Sequence, residues 1–231
     1  MKAMVRSKGF DSDLPDEAMM QKWLRSDGWL AGGVGGVVAV PLAIVLHELG
    51  HFGAFVAFGF PDPVLRYASA SWAHSGEWLT LFREGDMAAA TALGEPWKMA
   101  VAMAAGPAVS YLTAIVCVFA VRRFGPGPLS LVLGLGLSAP GQGLGASMVL
   151  AINLFGGGFI GNQDEAWVAS IAGISSSLTA LPGVACLVLA PWFLVTAIPR
   201  GRRIRVVVPV AGGMVLGLFG WLGWLGPLLL P

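Results

Sequence analysis

Long apolar stretches constrain this chain more than any other feature of its sequence. A helix needs about 20 consecutive apolar residues to cross the hydrocarbon core of a bilayer. Five stretches reach that length, at residues 29–58, 97–121, 129–155, 167–198 and 206–230. Because a helix satisfies its own backbone hydrogen bonds in lipid, we expect an all-α polytopic membrane protein with about five transmembrane helices. Residues 28–231 would form its membrane domain.

The composition supports the same class of protein and excludes others. Of the 231 residues, 56% are hydrophobic and 12% are charged, whereas soluble domains carry about 25% charged residues. The formal net charge of +1 argues against a nucleic-acid partner. Residues 1–27 form a polar N-terminal segment, in which we find no pattern of a removable signal peptide.

The basic residues predict an orientation in the membrane. They cluster before the first stretch, after the second and after the fourth: Lys2, Arg6, Lys8, Lys22 and Arg25; Arg122 and Arg123; Arg200, Arg202, Arg203 and Arg205. Loops on the cytoplasmic side carry the excess of lysine and arginine. Five spans with a cytoplasmic N-terminus put all three clusters in the cytoplasm. We therefore expect residues 59–96, residues 156–166 and the C-terminus on the outer side.

The first stretch carries the motif His47-Glu48-Leu49-Gly50-His51 in its second half. Residues i and i+4 share one face of a helix, so both imidazoles can bind one metal ion. Zinc held in this way keeps a coordination position for water, which an adjacent carboxylate can deprotonate. Ionisable groups inside a membrane span are costly and are usually functional. The motif therefore predicts a zinc site with Glu48 as the general base.

A catalytic zinc site usually has three protein ligands, so one more must come from elsewhere in the chain. The histidine pair lies about 18 residues into the first span, or roughly 27 Å deep at 1.5 Å per residue. The third ligand is therefore expected on an outer segment. Asp164 is the first choice, Glu165 the alternative and His74 the third choice. The competing interpretation is that Asp164 caps a helix. The first outer segment offers further acids, namely Glu77, Glu84, Asp86 and Glu95.

The first outer segment predicts a small strand-containing loop. Residues 64–72 alternate in part and predict one or two strands, and residues 86–93 predict a short helix. An exposed strand edge could hold an unwound substrate, although a hairpin that merely covers the site is an equal alternative. Asn162 and Asn153 are candidates for contacts with an oxyanion or substrate. Each is equally suited to satisfying backbone groups between helices.

These features resemble the site-2 protease family of intramembrane zinc metalloproteases. The resemblance rests on the motif at 47–51 within a span, on Ala105-Gly106-Pro107 in the second span, and on an asparagine-then-aspartate segment at the end of the third. It covers roughly residues 29–170. It implies a three-helix zincin core and a transmembrane protein or peptide as substrate.

Within this resemblance, His47, His51 and Asp164 would bind Zn²⁺, and Glu48 would act as the general base. The chain departs from the family pattern at three places. Gly156 stands where a proline is usual, Glu165 follows the aspartate in place of glycine, and Ser110 replaces a common asparagine.

The sequence as a whole predicts a zinc-dependent metallopeptidase that cuts a peptide bond in or near a transmembrane segment. One alternative is a catalytically inactive zinc-binding scaffold (a pseudoprotease), for which Glu48 would be dispensable. Another is a small transporter, which would need charges distributed through several spans. The spans after the first carry almost none. We expect the fourth stretch to be preceded by a short helix and to accommodate an interruption at Pro182-Gly183.

Overall fold

The computed structural model describes residues 28–125, 134–135, 140–155 and 163–231. The polar N-terminal segment at 1–27, part of the third predicted span and Asn162 lie outside these ranges. The elements follow the chain as α1 (Gly28–Ala57), β1 (Val64–Arg66), β2 (Ser69–Ser71), α2 (Ser75–Glu84), α3 (Met87–Leu93), α4 (Pro96–Phe124), α5 (Pro140–Leu154), α6 (Asp164–Ala172), α7 (Ser176–Ala197), α8 (Arg203–Gly220) and α9 (Gly226–Leu229). A short 3₁₀ turn precedes α8, and a π-helical turn at Trp221–Leu225 joins α8 to α9.

Four of the described helical segments are long and apolar enough to span a membrane. They are Trp29–Ala57, Pro96–Phe124, Ser176–Ala197 and Arg200–Leu229. They correspond to the first, second, fourth and fifth predicted stretches. The third stretch contributes the shorter apolar helix α5, and the rest of it lies mostly outside the described residues. The chain is therefore an all-α membrane protein in its described part, apart from one small hairpin.

Helix α1 lies between α4 and α8 and packs most extensively against these two helices. Glycines allow the backbones to approach closely on both sides. A Cβ atom on Gly50 would lie 2.5 Å from the Ala105 carbonyl oxygen of α4. On the other side, a Cβ atom on Gly213 of α8 would overlap the Gly33 carbonyl group. These two contacts hold α1, and with it the histidine motif, between α4 and α8.

Residues 59–96, between α1 and α4, fold as a hairpin followed by two short helices. Strands β1 and β2 are antiparallel, with Leu65 opposite Ala70 and Arg66 opposite Ser69, so the predicted strands are confirmed. Helix α3 confirms the helix predicted at 86–93, and its first turn is capped by the Asp86 side chain, which accepts from the Ala89 N–H at 3.0 Å. Helix α2 was not predicted.

A buried cluster rich in aromatic residues packs residues 59–96 against the C-terminal end of α1. Trp78 of α2 is fully buried against Phe55 of α1 and Met99 of α4. The Trp78 indole N–H also donates to the Gly94 carbonyl oxygen at 2.8 Å. Burial of aromatic side chains of this size stabilises an interface by about 1.5–3 kcal/mol each. The hairpin and α2 are therefore fixed beside the second half of α1.

The interruption of the fourth stretch lies earlier than predicted. Helix α7 continues through Pro182 without a break, and the chain is interrupted between α6 and α7 at Gly173. Gly173 adopts a left-handed φ of 66° and its N–H bonds the Ala169 carbonyl oxygen, which is a common way for a helix to end. A proline inside a membrane helix removes one backbone hydrogen bond, and neighbouring groups can satisfy the carbonyl oxygen that it frees.

The hairpin also contacts the C-terminal end of the chain. The Tyr67 N–H donates to the Leu230 carbonyl oxygen at 3.0 Å, and the Trp221 indole N–H donates to the Tyr67 carbonyl oxygen at 2.8 Å. The tip of the hairpin and the end of the fifth stretch therefore lie at the same end of the bundle.

Candidate metal centre

Two histidines of α1 and one aspartate of α6 converge on a single point. His47 and His51 lie one helical turn apart, and their Nε2 atoms are separated by 3.1 Å. Asp164 is the first residue of α6, and its Oδ2 atom lies 3.0 Å from the His47 Nε2 and 3.4 Å from the His51 Nε2. Among the described residues, this is the only group of three histidine, cysteine or acidic side chains placed to hold one metal ion.

The spacing of these three atoms matches one face of a tetrahedral zinc site. Ligands at 2.0–2.1 Å from a tetrahedral ion lie about 3.3 Å from one another. The observed separations of 3.0, 3.1 and 3.4 Å are close to that value. Two imidazole nitrogens and a carboxylate oxygen are also a ligand set that zinc accepts. The residues therefore fit the metal and leave a fourth coordination position open.

Helix α4 orients both imidazole rings. The His51 Nδ1–H donates to the Ala102 carbonyl oxygen at 2.7 Å, so the Nε2 of the neutral ring keeps its lone pair for a metal. The His47 Nδ1 lies 3.0 Å from the Ser110 Oγ. Gly106 lies between these two positions, and a Cβ atom there would overlap the His51 ring. Ala102, Gly106 and Ser110 recur at intervals of four and so form one stripe facing α1.

The other candidates for the third ligand, Glu165 and His74, have their side-chain contacts away from the two histidines of α1. Glu165 points toward α4, where its Oε1 accepts from the Tyr111 hydroxyl at 2.9 Å. His74 is exposed at the start of α2, with its Nδ1 3.3 Å from the Glu77 Oε2. The N-cap of α6 is Gln163 rather than Asp164, so the Asp164 carboxylate does not act as the helix cap.

The remaining candidate acids between α1 and α4 either contact other groups or are exposed, so none of them joins the two histidines. Asp86 caps α3, and Glu84 is exposed at the end of α2. Glu95 bonds Lys98 at 2.9 Å and also Trp97, and these two hydrogen bonds lower the pKa of its carboxyl.

Glu48 lies beside the histidines, next to the hairpin. Glu48 and Ala70 of β2 line the same cavity. In a hairpin with a two-residue turn, Arg66 and Ser69 form the hydrogen-bonded pair, so the polar groups of Ala70 point away from β1. Among the described residues β2 pairs with β1 alone, so its other edge is open at Ala70.

A cavity of about 890 Å³ joins these groups. The histidines, Glu48 and Asp164 line it together with residues of β2, α2, α5 and α8. Volumes of this order accommodate a drug-sized ligand. The apolar part of the wall includes Leu144 and Leu218, which are 63% and 40% exposed and so also reach the outer surface of the bundle.

The two predicted asparagine contacts have different outcomes. The Asn153 amide donates to the Ser176 Oγ at 2.7 Å and so joins α5 to α7, and Asn153 does not line the cavity. Asn162 lies outside the described residues. Polar side chains that the sequence did not indicate do line the cavity, namely Ser110, Thr113, Gln163, Thr80 and Arg83. The period of four on α4 was the signal that could have identified Ser110.

The resemblance to the site-2 protease family rests on the motif residues alone. No protein-family model, no curated protein and no solved structure matches this chain.

Proposed function

We propose that this chain is an intramembrane zinc metalloprotease that hydrolyses a peptide bond in or near a transmembrane segment of a membrane-protein substrate. The observation that carries the proposal is the convergence of the His47 Nε2, the His51 Nε2 and the Asp164 Oδ2. The two histidines lie on a helix that is long and apolar enough to span a membrane, and Glu48 lines the same cavity.

The residues suit a hydrolytic reaction. His47, His51 and Asp164 would hold a zinc ion, which would supply a Lewis acid that lowers the pKa of a water molecule and polarises the scissile carbonyl group. Glu48 accepts a proton from the attacking water and passes it to the leaving nitrogen as the carbon–nitrogen bond breaks. Glu48 lines the same cavity as the two histidines and Asp164. Gln163 lines the cavity next to Asp164 and can donate to the developing oxyanion.

The open edge of β2 suits an extended substrate. A transmembrane helix hides its peptide bonds in internal hydrogen bonds, so it must unwind before cleavage. An unwound segment can add to the exposed edge of a strand through main-chain hydrogen bonds. Ala70 on this edge lines the same cavity as Glu48, so a paired segment would run past the general base. The apolar wall at Leu144 and Leu218 would receive the side chains of a membrane segment.

The proposal includes a location for the site. We infer a multi-pass protein with a cytoplasmic N-terminus, a C-terminus outside and an active site toward the outer face. The basic clusters support this orientation. The contact of the hairpin with Trp221 and Leu230 agrees with it, because both regions belong to the outer side in this topology.

The test combines zinc content with cleavage. The purified chain and its Glu48→Gln variant would be reconstituted with a panel of fluorescent single-span peptides, with Glu84→Gln, an exposed acid on α2, as the matched control. We expect zinc in all three proteins and cleavage in the parent and the control only. Because loss of a general base typically costs 10²–10⁴-fold in rate, the Glu48→Gln rate should fall by about that factor. Zinc binding with cleavage unchanged by Glu48→Gln would contradict the proposal and favour a zinc-binding scaffold.

A further inference from the structure

Two pairs of consecutive residues connect α4 and α6 around the metal centre. Ser110 of α4 and Asp164 of α6 both contact the His47 ring, at its Nδ1 and its Nε2 respectively. The next residues along the two helices contact each other, because the Tyr111 hydroxyl donates to the Glu165 Oε1 at 2.9 Å. The hydrogen bond between Tyr111 and Glu165 is therefore one residue away from the candidate ligand on α6.

Glu165 is held in the interior where three helices meet. Its residue surface is 3% exposed, and its backbone carbonyl oxygen accepts from the Thr179 hydroxyl of α7 at 2.7 Å. Gly183 of α7 provides space, because a Cβ atom there would lie 2.9 Å from the Tyr111 hydroxyl oxygen. A carboxyl buried among membrane helices is costly unless it is hydrogen-bonded. The position of this side chain is therefore set by its protein contacts.

The placement of Asp164 depends on the rotation of α6 about its axis. Consecutive residues of a helix are about 100° apart around its axis, so a fixed Glu165 determines the direction in which Asp164 points. Helix α6 has only nine residues, and its rotation needs an anchor in the first turn. Tyr111 supplies this anchor from α4, which is the helix that also orients the two imidazoles.

We propose that Tyr111 and Glu165 are positioning residues, whose hydrogen bond sets the rotation of α6 and brings the Asp164 carboxylate to the two histidines. This role rests on the metal centre of the proposed function and deepens it. Neither residue touches the metal position, and the role of Glu165 is to accept a hydrogen bond.

The test is the zinc dissociation constant of the full chain, measured by competition with a chromophoric chelator. Tyr111→Phe removes the donor, and Glu165→Met removes the acceptor while keeping the length of the side chain. Loss of such outer partners costs about 10–100-fold in metal affinity, and we expect a loss of that size in both variants. Glu165→Gln retains an acceptor oxygen and should bind zinc as the parent does.

Controls separate this role from general damage to the fold. Ser176→Ala removes the partner of Asn153, another hydrogen bond between helices, and should leave zinc affinity unchanged. The melting temperature of the zinc-free double variant Tyr111→Phe/Glu165→Met should not fall, because replacing both partners of a buried hydrogen bond by apolar groups of similar shape can be nearly neutral. The double variant Tyr111→Phe/Glu165→Met should lose no more affinity than either single variant, since the two residues act as one unit.

The outcomes are distinguishable. If the parent binds no zinc, the metal centre itself is refuted, and the positioning role with it. If the parent binds zinc and both Tyr111→Phe and Glu165→Met bind it equally well, only the positioning role is refuted. A loss in Glu165→Gln as large as that in Glu165→Met would overturn it too, because the charge of Glu165 would then matter rather than its hydrogen bond.

Discussion

At the residue scale, the candidate metal centre depends on groups of α4 that are not among its three proposed ligands. The Ala102 carbonyl and the Ser110 hydroxyl hold the Nδ1 atoms of the two imidazoles, and so both Nε2 atoms face the Asp164 carboxylate. The missing side chain of Gly106 gives the His51 ring its space. The site is therefore assembled by the crossing of α1 and α4 as much as by the motif on α1.

Gly106→Ala tests this crossing. The added methyl group would overlap the His51 ring, and overpacking of this kind typically costs about 1–3 kcal/mol. We expect zinc affinity to fall by about tenfold or more, since 1.4 kcal/mol corresponds to a factor of ten. Gly53→Ala is the control, because a Cβ atom at Gly53 has no neighbouring atom within 4 Å. Chelator competition measures both variants. Equal affinity in Gly106→Ala and the parent would contradict this role of Gly106.

Several residues of the candidate site could be predicted from the sequence, and the others could not because their contacts depend on how the helices pack. The spacing of His47 and His51 requires a shared helical face, so that pair was predictable. Asp164 was one of several acids that satisfied the depth argument, and only the packing of α6 against α4 separates it from Glu165. The contacts of Ser110 and Ala102 join residues 63 and 51 positions apart in the chain, so they depend on tertiary packing.

At the scale of the elements, close contact between α1 and α8 places the histidine helix. Gly213 faces α1, where its Cβ atom would overlap the Gly33 carbonyl, whereas the adjacent Gly212 has no neighbour within 4 Å. The two glycines thus lie on different faces of one helix and form a natural pair for comparison.

Gly213→Leu should separate α1 from α8, whereas Gly212→Leu should be tolerated. We expect Gly213→Leu to lower the free energy of unfolding by about 1–3 kcal/mol or more, because the contact is with backbone that cannot move aside. Gly212→Leu adds an apolar side chain with open space around it. Unfolding in detergent, followed by tryptophan fluorescence, compares the two variants. Equal stability would show that the α1–α8 contact does not depend on Gly213.

The short elements between α1 and α4 show which structures a local sequence pattern can predict and which it cannot. The strands at 64–66 and 69–71 and helix α3 follow from local signals, including the cap at Asp86. Helix α2 was missed, although Trp78, Leu81 and Phe82 have helical spacing, because it is short and its stability comes from burial of Trp78 in the cluster beneath it. The chain is interrupted at Gly173, which has a left-handed backbone conformation. Helix α7 continues through Pro182 even though a proline removes one backbone hydrogen bond.

At the scale of the whole molecule, one end of the bundle carries the hairpin, α2 and the end of the fifth stretch. The basic residues at 200–205 lie at the start of α8, and Trp221 at its far end contacts the hairpin. A helix of 18 residues separates the two. The four long apolar helices of the described residues were predictable from the sequence, while the contact of the hairpin with the C-terminal end required the structure.

Cysteine labelling tests the orientation. In a background with Cys117→Ala and Cys186→Ala, Glu84→Cys and Gly201→Cys would each introduce one exposed thiol. A membrane-impermeant maleimide applied to intact cells or spheroplasts should label Glu84→Cys at once. It should label Gly201→Cys only after the membrane is permeabilised, because the positive-inside rule places that turn in the cytoplasm. Labelling of Gly201→Cys first would reverse the orientation and leave the metal centre untouched.

The coordination of zinc in the purified chain tests the central claim most directly. Elemental analysis should show one zinc ion per chain, and X-ray absorption of the zinc-loaded protein should show two imidazole nitrogens at about 2.0–2.1 Å and oxygen ligands at about 2.0–2.2 Å. Asp164→Ala should change the oxygen shell, and replacing His47 and His51 together by alanine should abolish the imidazole signal. An imidazole signal that survives in that double variant, or sulfur ligands at about 2.3 Å in the parent, would contradict the account.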